Sequence, residues 1–561
     1  MPRLSMALGV LSAALLDLPF PLAGPLPAWR AQFAWLALVP LMVALLRIAE
    51  SPERGLRWRL GWALGVGWTA GAVWYGLNCY WVYGTMHTYG DMGPAMAAVC
   101  LVLFSLFLGA WWALLGLAVV VVRLATNRRG VAAAMMPVLW VAMELAISRV
   151  PSFPWDQLGV SQVDNGLLMR LAPWTGVYGV SFVLAGVNAL LAWAVVEALA
   201  GEKRGGWLKH GPTGAVVVAA VLVGGLGVAG MRVEKPRPAA QATAVLVQPN
   251  LDVIADNTWT AARWTEKLAE FRKLAGEGCK QYIAGLPETG APLGEVECGP
   301  VPEPPALIAW PESPAPFRDA DPQFRAAIEG IVQADRAPVV VGNVGMDLDA
   351  ASQSYRIYNS ASVVSREGNF VGRYDKMHLV PFGEYIPARG LLFFAKQLTQ
   401  NLEDLQRGEV RKTFRIGAGD GTAHRYGIFL CYESVFADEV REFTRMGAEV
   451  LVNLSDDGWY GDTSAPWQHL NMARMRAIEN HRWILRDTNN GTTASIDPYG
   501  TVRQSIPRHR ADALPAEFGY ESELTWYTVH GDVFAWGCLV LGGGAMVLGM
   551  RKVLWREAGR G

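Results

Sequence analysis

The 561-residue sequence is poor in charge. Charged residues make up only 18% of it, whereas 52% are hydrophobic, and its mean hydropathy is +0.20. An ordinary soluble domain carries more charge than this, so the composition excludes a chain built from one such domain. The formal net charge of −1 supplies no basic field, and we expect no nucleic-acid partner.

Cysteine is also scarce, and the common metal and cofactor motifs are absent or misplaced. The six cysteines form no CxxC pair and no HExxH occurs, which argues against zinc-ribbon and thioredoxin-type sites. Residues 225–230 spell GxGxxG, but they lie inside an apolar, helix-like run rather than after a strand. Small residues that pack helices in lipid explain this stretch better than a dinucleotide site does. We expect neither a metal nor another cofactor.

Long apolar runs are what the sequence has in abundance. A helix needs about 20 apolar residues to cross a bilayer core. The pattern predicts eight spans, near residues 4–22, 26–47, 60–83, 94–122, 131–148, 171–199, 213–231 and 531–550. The 23 tryptophans suit a protein with many membrane–water boundaries. The predicted organisation is a seven-span membrane domain (1–235), a globular domain (236–525), and an eighth span with a tail (526–561).

The loops between these runs predict the orientation. Lys and Arg concentrate in alternate loops and after the last span, at Arg47, Arg54, Arg57, Arg59, Arg123, Arg128, Arg129, Lys203, Arg204, Lys209, Arg551, Lys552, Arg556 and Arg560. Because basic loops stay in the cytoplasm, both termini are expected there and the globular domain on the opposite side. In a Gram-negative cell this describes a multi-pass protein of the inner membrane with its large domain in the periplasm.

The globular part has the rhythm of an α/β domain. Short apolar runs typical of buried strands occur at 243–248, 306–310, 337–343, 360–365, 426–431 and 449–455, and helix-like segments lie at 260–276, 322–334 and 469–483. Continuous apolar strands predict sheets that are covered on both faces.

Three stretches carry residues suited to covalent catalysis. They are "IAWPES" with Glu312, "RYDKMHLVPFGEYIP" with Lys376 and Glu384, and "RYGIFLCYESVF" with Cys431. A thiolate can act as nucleophile, a carboxylate can collect its proton, and a fixed cation can stabilise an oxyanion. On the residues alone, Cys431 could equally be a small buried hydrophobe, and Glu312 and Lys376 could be surface charges.

Taken together, these stretches resemble the Glu–Lys–Cys triad of the nitrilase (carbon–nitrogen hydrolase) superfamily. Further stretches resemble the apolipoprotein N-acyltransferase family: "LVPFGEYIP" (379–387), "LCYES" (430–434), "GDTSAPWQHLNMARMRAIEN" (461–480), "TNNGTTASIDPYG" (488–500), "WVAMELA" (140–146) and "FPWDQLGVSQ" (153–162). The resemblance implies an eight-span α-helical membrane domain joined to a nitrilase-like α-β-β-α sandwich. The chain departs from the family at Asp456-Asp457, where Asn-Asp is common, and in an apparent insertion at 276–305.

The resemblance also implies roles for individual residues. Cys431 would take an acyl group from a phospholipid as a thioester, with Glu312 as general base and Lys376 as oxyanion partner. The acyl group would then pass to the α-amino group of the S-diacylglyceryl-cysteine at the start of an apolipoprotein, in a ping-pong cycle. Glu384 would orient Lys376, and the remaining substrate-binding candidates are Tyr432, Glu433, Trp259 and Trp459.

Four further expectations concern residues outside this set. Glu144, inside a span, either forms an ion pair with Arg149 or serves a lipid site. His378 and His469 are expected to have structural roles. Cys279 and Cys298, in the insertion, are predicted to form a disulfide on the oxidising side of the membrane. The apolar run at 388–398 is predicted to be a membrane-facing lid, whose apolar tip is Leu391, Leu392, Phe393 and Phe394.

Other functions remain open at this point. A membrane-tethered amidase or nitrilase would use the same three residues but would release the acid to water. A non-catalytic lipoprotein-binding membrane protein would need none of them. A transporter is disfavoured, because the helices lack paired charges near their centres.

Overall fold

Helices make up the N-terminal part of the chain. The structure, a computed structural model, describes residues 2–51, 54–200, 210–253, 260–276, 279–282, 295–298, 304–312, 316–349, 354–381, 383–385, 405–418 and 421–559. In the first 222 residues the described α-helices are α1 (Pro2–Asp17), α2 (Ala28–Ala31), α3 (Val39–Ala49), α4 (Leu56–Asn78), α5 (Trp81–Gly84), α6 (Pro94–Thr126), α7 (Arg129–Arg149), α8 (Ala172–Thr175), α9 (Val177–Ala200) and α10 (His210–Leu222).

Six helical segments in the described parts of the chain are long and apolar enough to cross a bilayer. They are Ala28–Ala49, Pro94–Thr126, Arg129–Arg149, Val177–Ala200, Thr213–Arg232 and Val533–Ala558. The two other predicted spans correspond to α1, which has only 16 residues, and to α4, which is rich in glycine and tryptophan. A membrane domain of long apolar helices is therefore present, and the count of eight spans stays a prediction.

Glycines let α4 and α6 approach closely. A Cβ atom on Gly67 would lie 2.3 Å from the carbonyl oxygen of Trp112, and one on Gly116 would lie 2.4 Å from that of Ala63. Small residues at such contacts allow backbones to pack without a water-driven core. The GxGxxG stretch belongs to the helical segment Val223–Ala229 that continues α10, where Gly227 packs against Trp35.

Two six-stranded sheets form the core of the globular part. The elements that follow α10 in the chain are β1 (Ala242–Gln248), α11 (Ala261–Gly276), β2 (Cys279–Tyr282), β3 (Glu295–Cys298), β4 (Leu307–Trp310), α12 (Pro322–Asp335), β5 (Val339–Asp349), β6 (Ser354–Val364), β7 (Phe370–Asp375), β8 (Thr413–Gly417), β9 (Ala423–Leu430), α13 (Ala437–Arg445), β10 (Val450–Ser455), α14 (Ala465–Asn480), β11 (Ile484–Thr488), β12 (Thr493–Ile496), β13 (Val502–Ile506), β14 (Asp512–Phe518), α15 (Trp526–His530) and the last membrane-span candidate, α16 (Val533–Ala558). The sheet orders are β14-β1-β4-β5-β6-β7 and β13-β12-β11-β10-β9-β8. Strands β1, β4 and β5 are mutually parallel, as are β9, β10 and β11.

Helices cover the outer faces of this pair of sheets. On the first sheet, Phe271 of α11 lies 4.7 Å from the ring of Trp310, and Phe324 of α12 belongs to the same apolar cluster. On the second, Leu470 of α14 joins a cluster that contains strand residues from both sheets. The apolar strand runs of the sequence thus form a four-layer α/β domain of the nitrilase type.

Helix α14 lies between this domain and the membrane helices. All its residues except Trp467 are buried. Gln468 donates to the carbonyl of Asn78 at 3.1 Å, and Glu479 accepts the backbone N–H of Val177 at 2.8 Å. The sandwich is therefore docked onto the membrane domain through one of its own covering helices.

The predicted insertion contains a two-stranded ribbon. Strands β2 and β3 pair antiparallel, with Cys279 opposite Cys298. Directly opposed Cα atoms in such a pair lie about 4.5–5.5 Å apart, which is within the reach of a disulfide. The two side chains lie outside the described part of the chain, so the bridge stays a prediction.

Candidate active site

The site forms where several strands end at one edge of the sandwich. Glu312 follows β4, Lys376 follows β7, Cys431 follows β9 and Asp456 follows β10. The backbone N–H of Asp456 donates to Glu312 Oε2 at 3.0 Å, which joins the ends of the two sheets. Residues far apart in the sequence therefore meet because each one terminates a strand.

Lys376 is held between two carboxylates. Its Nζ lies 2.8 Å from Glu312 Oε1 and 2.9 Å from Glu384 Oε1, and its side chain is only 1% exposed. Burial alone would lower the Lys376 pKa, but the two carboxylates outweigh it and raise the pKa well above its usual value. Lys376 is thus a fixed cation.

Asn359, on β6, completes this arrangement, and the sequence did not single it out. Its Nδ2 donates to Glu312 Oε1 and to Glu384 Oε1, at 2.7 Å each. Glu384 Oε2 also accepts the N–H of Val380 at 2.7 Å. The signal available in the sequence was an asparagine inside a strand, where that residue is disfavoured.

Cys431 occupies a backbone conformation that side chains rarely adopt. Its φ is +43°, and it starts a short helical turn directly after β9. Burial raises the pKa of its thiol well above the usual value, Glu312 adds to this shift and Lys376 opposes it. The thiol, the carboxylate and the ammonium therefore form one buried electrostatic cluster, with the proton on sulfur at neutral pH.

The alkylation of Cys431 should reflect this protonated thiol. An acid with a raised pKa ionises only at higher pH, so the rate of reaction with iodoacetamide is expected to rise about tenfold per pH unit from pH 6 to 9. Peptide mapping by mass spectrometry would follow Cys431 apart from the other cysteines. A rate that levels off between pH 6 and 7 would instead indicate a preformed thiolate and contradict this assignment.

Glu433 links the nucleophile strand to the segment that carries Lys376. It accepts the N–H groups of Leu430, Met377 and His378 at 2.7, 2.7 and 3.1 Å, and the hydroxyl of Tyr374 at 2.8 Å. Burial raises the pKa of Glu433 to about 7, although these hydrogen bonds oppose the shift.

Two aromatic candidates connect the site to the membrane domain. The hydroxyl of Tyr432 donates to the carbonyl of Ser152 at 3.1 Å. Trp459 is 46% exposed and its ring lies 5.9 Å from that of Tyr89, so it stands at the rim. Trp259 and the predicted lid residues Leu391, Leu392, Phe393 and Phe394 lie outside the described parts of the chain.

The structure separates Glu144 from Arg149. Glu144 accepts the indole N–H of Trp140 and the backbone N–H of Leu158, both at 2.9 Å. Arg149 pairs instead with Asp438 of α13 and with Asp532, which directly precedes α16. The predicted Glu144–Arg149 ion pair is wrong.

A buried carboxylate, ammonium and thiol at the strand ends of an α-β-β-α sandwich define the class of the carbon–nitrogen hydrolases. The carbon–nitrogen hydrolase family model matches residues 241–514, and the model of the apolipoprotein N-acyltransferase N-terminal domain matches residues 12–190.

The chain belongs to the apolipoprotein N-acyltransferase family. It is 32% identical to the apolipoprotein N-acyltransferase of Geobacter metallireducens over 541 residues, which cover 96% of this chain and 94% of that protein. It is also 32% identical to the enzyme of that name from Ralstonia nicotianae over 534 residues, covering 94% and 90%. The resemblance found in the motifs is confirmed, and the protein is a multi-pass membrane N-acyltransferase.

Two solved structures each cover about half of this chain. Saccharomyces cerevisiae Nit3, of the nitrilase superfamily, covers 53% of this chain and 95% of its own at 15% identity and a TM-score of 0.31. The carbon–nitrogen hydrolase of Helicobacter pylori covers 49% and 89% at 14% identity and a TM-score of 0.32.

Proposed function

We propose that the protein transfers a fatty acyl group from a phospholipid to the α-amino group of the N-terminal S-diacylglyceryl-cysteine of apolipoproteins. Cys431 would carry the acyl group as a thioester between two half-reactions. The observation that supports this most is the fixed Lys376 cation beside a buried thiol and carboxylate, at the junction with the membrane helices.

In the first half-reaction the thiol attacks the ester carbonyl of the phospholipid. Glu312 takes the thiol proton as the S–C bond forms, and Lys376 stabilises the oxyanion of the tetrahedral intermediate. When the intermediate collapses, the C–O bond breaks and the lysophospholipid oxygen takes the proton back from Glu312. The products are a thioester on Cys431 and a lysophospholipid with a free hydroxyl.

In the second half-reaction the neutral amine attacks the thioester carbonyl. The α-amino group, with an ordinary pKa of about 7.7–8.0, is partly neutral at physiological pH. Glu312 removes the excess proton from nitrogen as the N–C bond forms, and the proton passes to the departing sulfur of Cys431. An amide results, and the thiol is regenerated.

The burial of the site supports transfer rather than hydrolysis. Glu312, Lys376 and Cys431 are 6%, 1% and 5% exposed. A thioester held in such a place meets little water, and an amine that enters with its lipid can compete for it. This favours an acyltransferase over a membrane-tethered amidase, and the paired charges are difficult to reconcile with a non-catalytic lipoprotein-binding protein.

The membrane arrangement is part of the same proposal. Residues 1–235 would form seven spans, 236–525 the catalytic domain and 526–561 the eighth span with a tail. Both termini would lie in the cytoplasm and the catalytic domain in the periplasm, at the inner membrane. The apolar tip at 391–394 would guide lipid toward Cys431.

The proposal predicts a covalent intermediate that survives until an amine arrives. Purified protein mixed with phospholipid carrying a labelled acyl chain should gain the mass of one acyl group on the peptide that contains Cys431. Later addition of a diacylated lipopeptide should move the label to the lipopeptide amine. The matched control is the same lipopeptide with an acetylated α-amino group, which should leave the label on the enzyme.

Two results would contradict it in different ways. In the absence of lipopeptide, labelled free fatty acid could form as fast as the phospholipid loses its label. That result would assign the protein to the hydrolases. Binding of lipopeptide with no label on Cys431 would favour the non-catalytic alternative.

A further inference from the structure

A second polar cluster lies beneath the nucleophile, apart from Glu312 and Lys376. Its members are Asp457, His469, Arg486 and Ser434, and all four are fully buried. His469 Nδ1 lies 2.9 Å from Asp457 Oδ1, and Arg486 Nη2 lies 2.7 Å from Asp457 Oδ2. Buried charged groups are costly unless they are paired, and here Asp457 and Arg486 form such a pair.

This cluster reaches the nucleophile through its backbone. His469 Nε2 lies 3.1 Å from the carbonyl oxygen of Cys431 and 2.7 Å from Ser434 Oγ. The carbonyl belongs to the residue whose φ is +43°. Such a conformation is strained and persists only where the surroundings enforce it. A hydrogen bond to that carbonyl is one way to enforce it.

The cluster is also linked to Glu312, the proposed base, through the segment 455–457. Asp457 directly follows Asp456, whose backbone N–H donates to Glu312 Oε2 at 3.0 Å. Ser455, just before this pair, donates from its hydroxyl to Asp457 Oδ1 at 2.9 Å. The segment 455–457 is therefore anchored by Asp457 on one side and contacts Glu312 on the other.

The groups around the His469 ring indicate which of its two nitrogens carries the proton. Arg486 Nη2, which can only donate, lies 3.0 Å from Nδ1. Nε2 faces the Cys431 carbonyl oxygen, which can only accept, so we assign the neutral tautomer with the proton on Nε2. Nδ1 then accepts from Arg486 Nη2, which also donates to Asp457 Oδ1 at 3.0 Å, so Asp457 orients the ring through Arg486 and not by a hydrogen bond of its own. Burial, together with the Arg486 charge, lowers the pKa of His469, which agrees with a neutral ring.

We propose that His469, oriented by Asp457 and Arg486, is a positioning residue for acyl transfer that holds the backbone of Cys431 so that its thiol faces both Glu312 and the acyl carbonyl. The inference rests on the proposed role of Cys431 as nucleophile. His469 touches no reacting atom and acts through the main chain of Cys431. A displacement of about 1 Å at a nucleophile can cost about 10²-fold in rate.

The substitutions His469→Gln and His469→Asn differ mainly in where they place an amide N–H donor. The amide nitrogen of His469→Gln comes close to the position of Nε2, whereas that of His469→Asn comes close to Nδ1. Both are neutral and smaller than histidine, so they weaken packing in similar ways. The Gln variant should keep the hydrogen bond to the Cys431 carbonyl, and the Asn variant should lose it.

The experiment measures single-turnover formation of the thioester over a range of phospholipid concentrations. We expect His469→Asn to lower the saturating rate of thioester formation by about 10²-fold, with less than a threefold change in the half-saturating phospholipid concentration. The saturating rate of His469→Gln should be at least about tenfold higher than that of His469→Asn. Alkylation of Cys431 by iodoacetamide should remain within about threefold in both, because this small reagent does not depend on how the thiol faces a bound phospholipid carbonyl.

A matched control tests for simple loss of stability. The hydroxyl of Thr528, which is fully buried and outside the site, donates to Asn480 Oδ1 at 2.8 Å. Thr528→Val should lower the melting temperature while leaving the saturating rate within about threefold.

The two substitutions of His469 also separate the possible failures. Equal saturating rates for Gln and Asn, or losses that follow the melting temperature in all three variants, would overturn the positioning role while leaving the proposed function intact. A wild-type protein that forms no thioester on Cys431 would overturn the proposed function itself.

Discussion

Cys431→Ala is expected to abolish both thioester formation and N-acylation. The alanine variant has no atom that can form the thioester, so the loss should reach the background of the assay rather than a fraction of wild type. Because Cys431 is a small, largely apolar side chain and only 5% exposed, its truncation should cost little stability. Acylation of lipopeptide is measured with labelled phospholipid, and the melting temperature is recorded on the same sample.

Glu312→Gln tests whether Glu312 is the base that takes the proton of the Cys431 thiol. The amide keeps the shape and one oxygen, but it cannot take the thiol proton, so thioester formation should slow by about 10²–10⁴-fold. Cys538→Ala is the matched control for Cys431→Ala, because Cys538 is also a buried free thiol but lies in α16. Substantial activity in Cys431→Ala, or no more than a fewfold loss in Glu312→Gln, would remove the basis of the proposed mechanism.

Lys376→Met should damage both rate and stability. It removes the only cation placed within hydrogen-bond distance of Glu312 and Glu384 among the described side chains, and it leaves both carboxylates without that cation, Glu312 in a buried position. Breaking a buried ion pair in this way typically costs about 3–5 kcal/mol in the free energy of unfolding. Loss of one oxyanion partner costs about 10²–10³-fold in rate. Denaturant unfolding and single-turnover acylation measure the two effects.

A second substitution should separate these two effects. In Lys376→Met with Glu384→Gln one of the two carboxylates is neutral, so part of the stability should return. The rate should stay low, since the cation is still absent. Arg373→Met is the matched control: Arg373 lies on β7, the strand that ends just before Lys376, and it pairs with Asp319, Asp347 and Asp375 and not with Glu312 or Glu384. It should lose stability but remain within about threefold in rate. Recovery of the rate in the double variant would show that Lys376 serves only to neutralise its neighbours.

The parts of the fold that follow from local pattern were accessible from the sequence. The apolar runs at 243–248 and 449–455 correspond to β1 and β10 nearly residue for residue, because a strand that is covered on both faces must be apolar throughout. The motifs likewise predicted the family. The span count was less accessible, because α1 and α4 pack against other helices, so that length and hydropathy alone do not decide whether they cross the bilayer.

The failed Glu144–Arg149 pair has a geometric reason. Residues five apart on a helix point about 140° away from each other, whereas side chains three or four apart share a face. Arg149, at the end of α7, turns outward to Asp438 and Asp532, and Glu144 turns inward to Trp140. Asn359 and His469 were missed as site components for a different reason, since their importance arises only when separate strands and α14 meet.

The burial of α14 has a consequence for how the enzyme comes into being. One side of this helix completes the sandwich, and the other contacts the membrane helices through Gln468, Arg474 and Glu479. If the globular domain were produced without the membrane domain, the side chains of Gln468, Arg474 and Glu479 would lose these partners and become exposed. The two halves should therefore mature as a single cooperative unit, with the site complete only when α14 has docked onto the membrane domain. Such a dependence would confine a reactive thioester to the bilayer surface where its lipids reside.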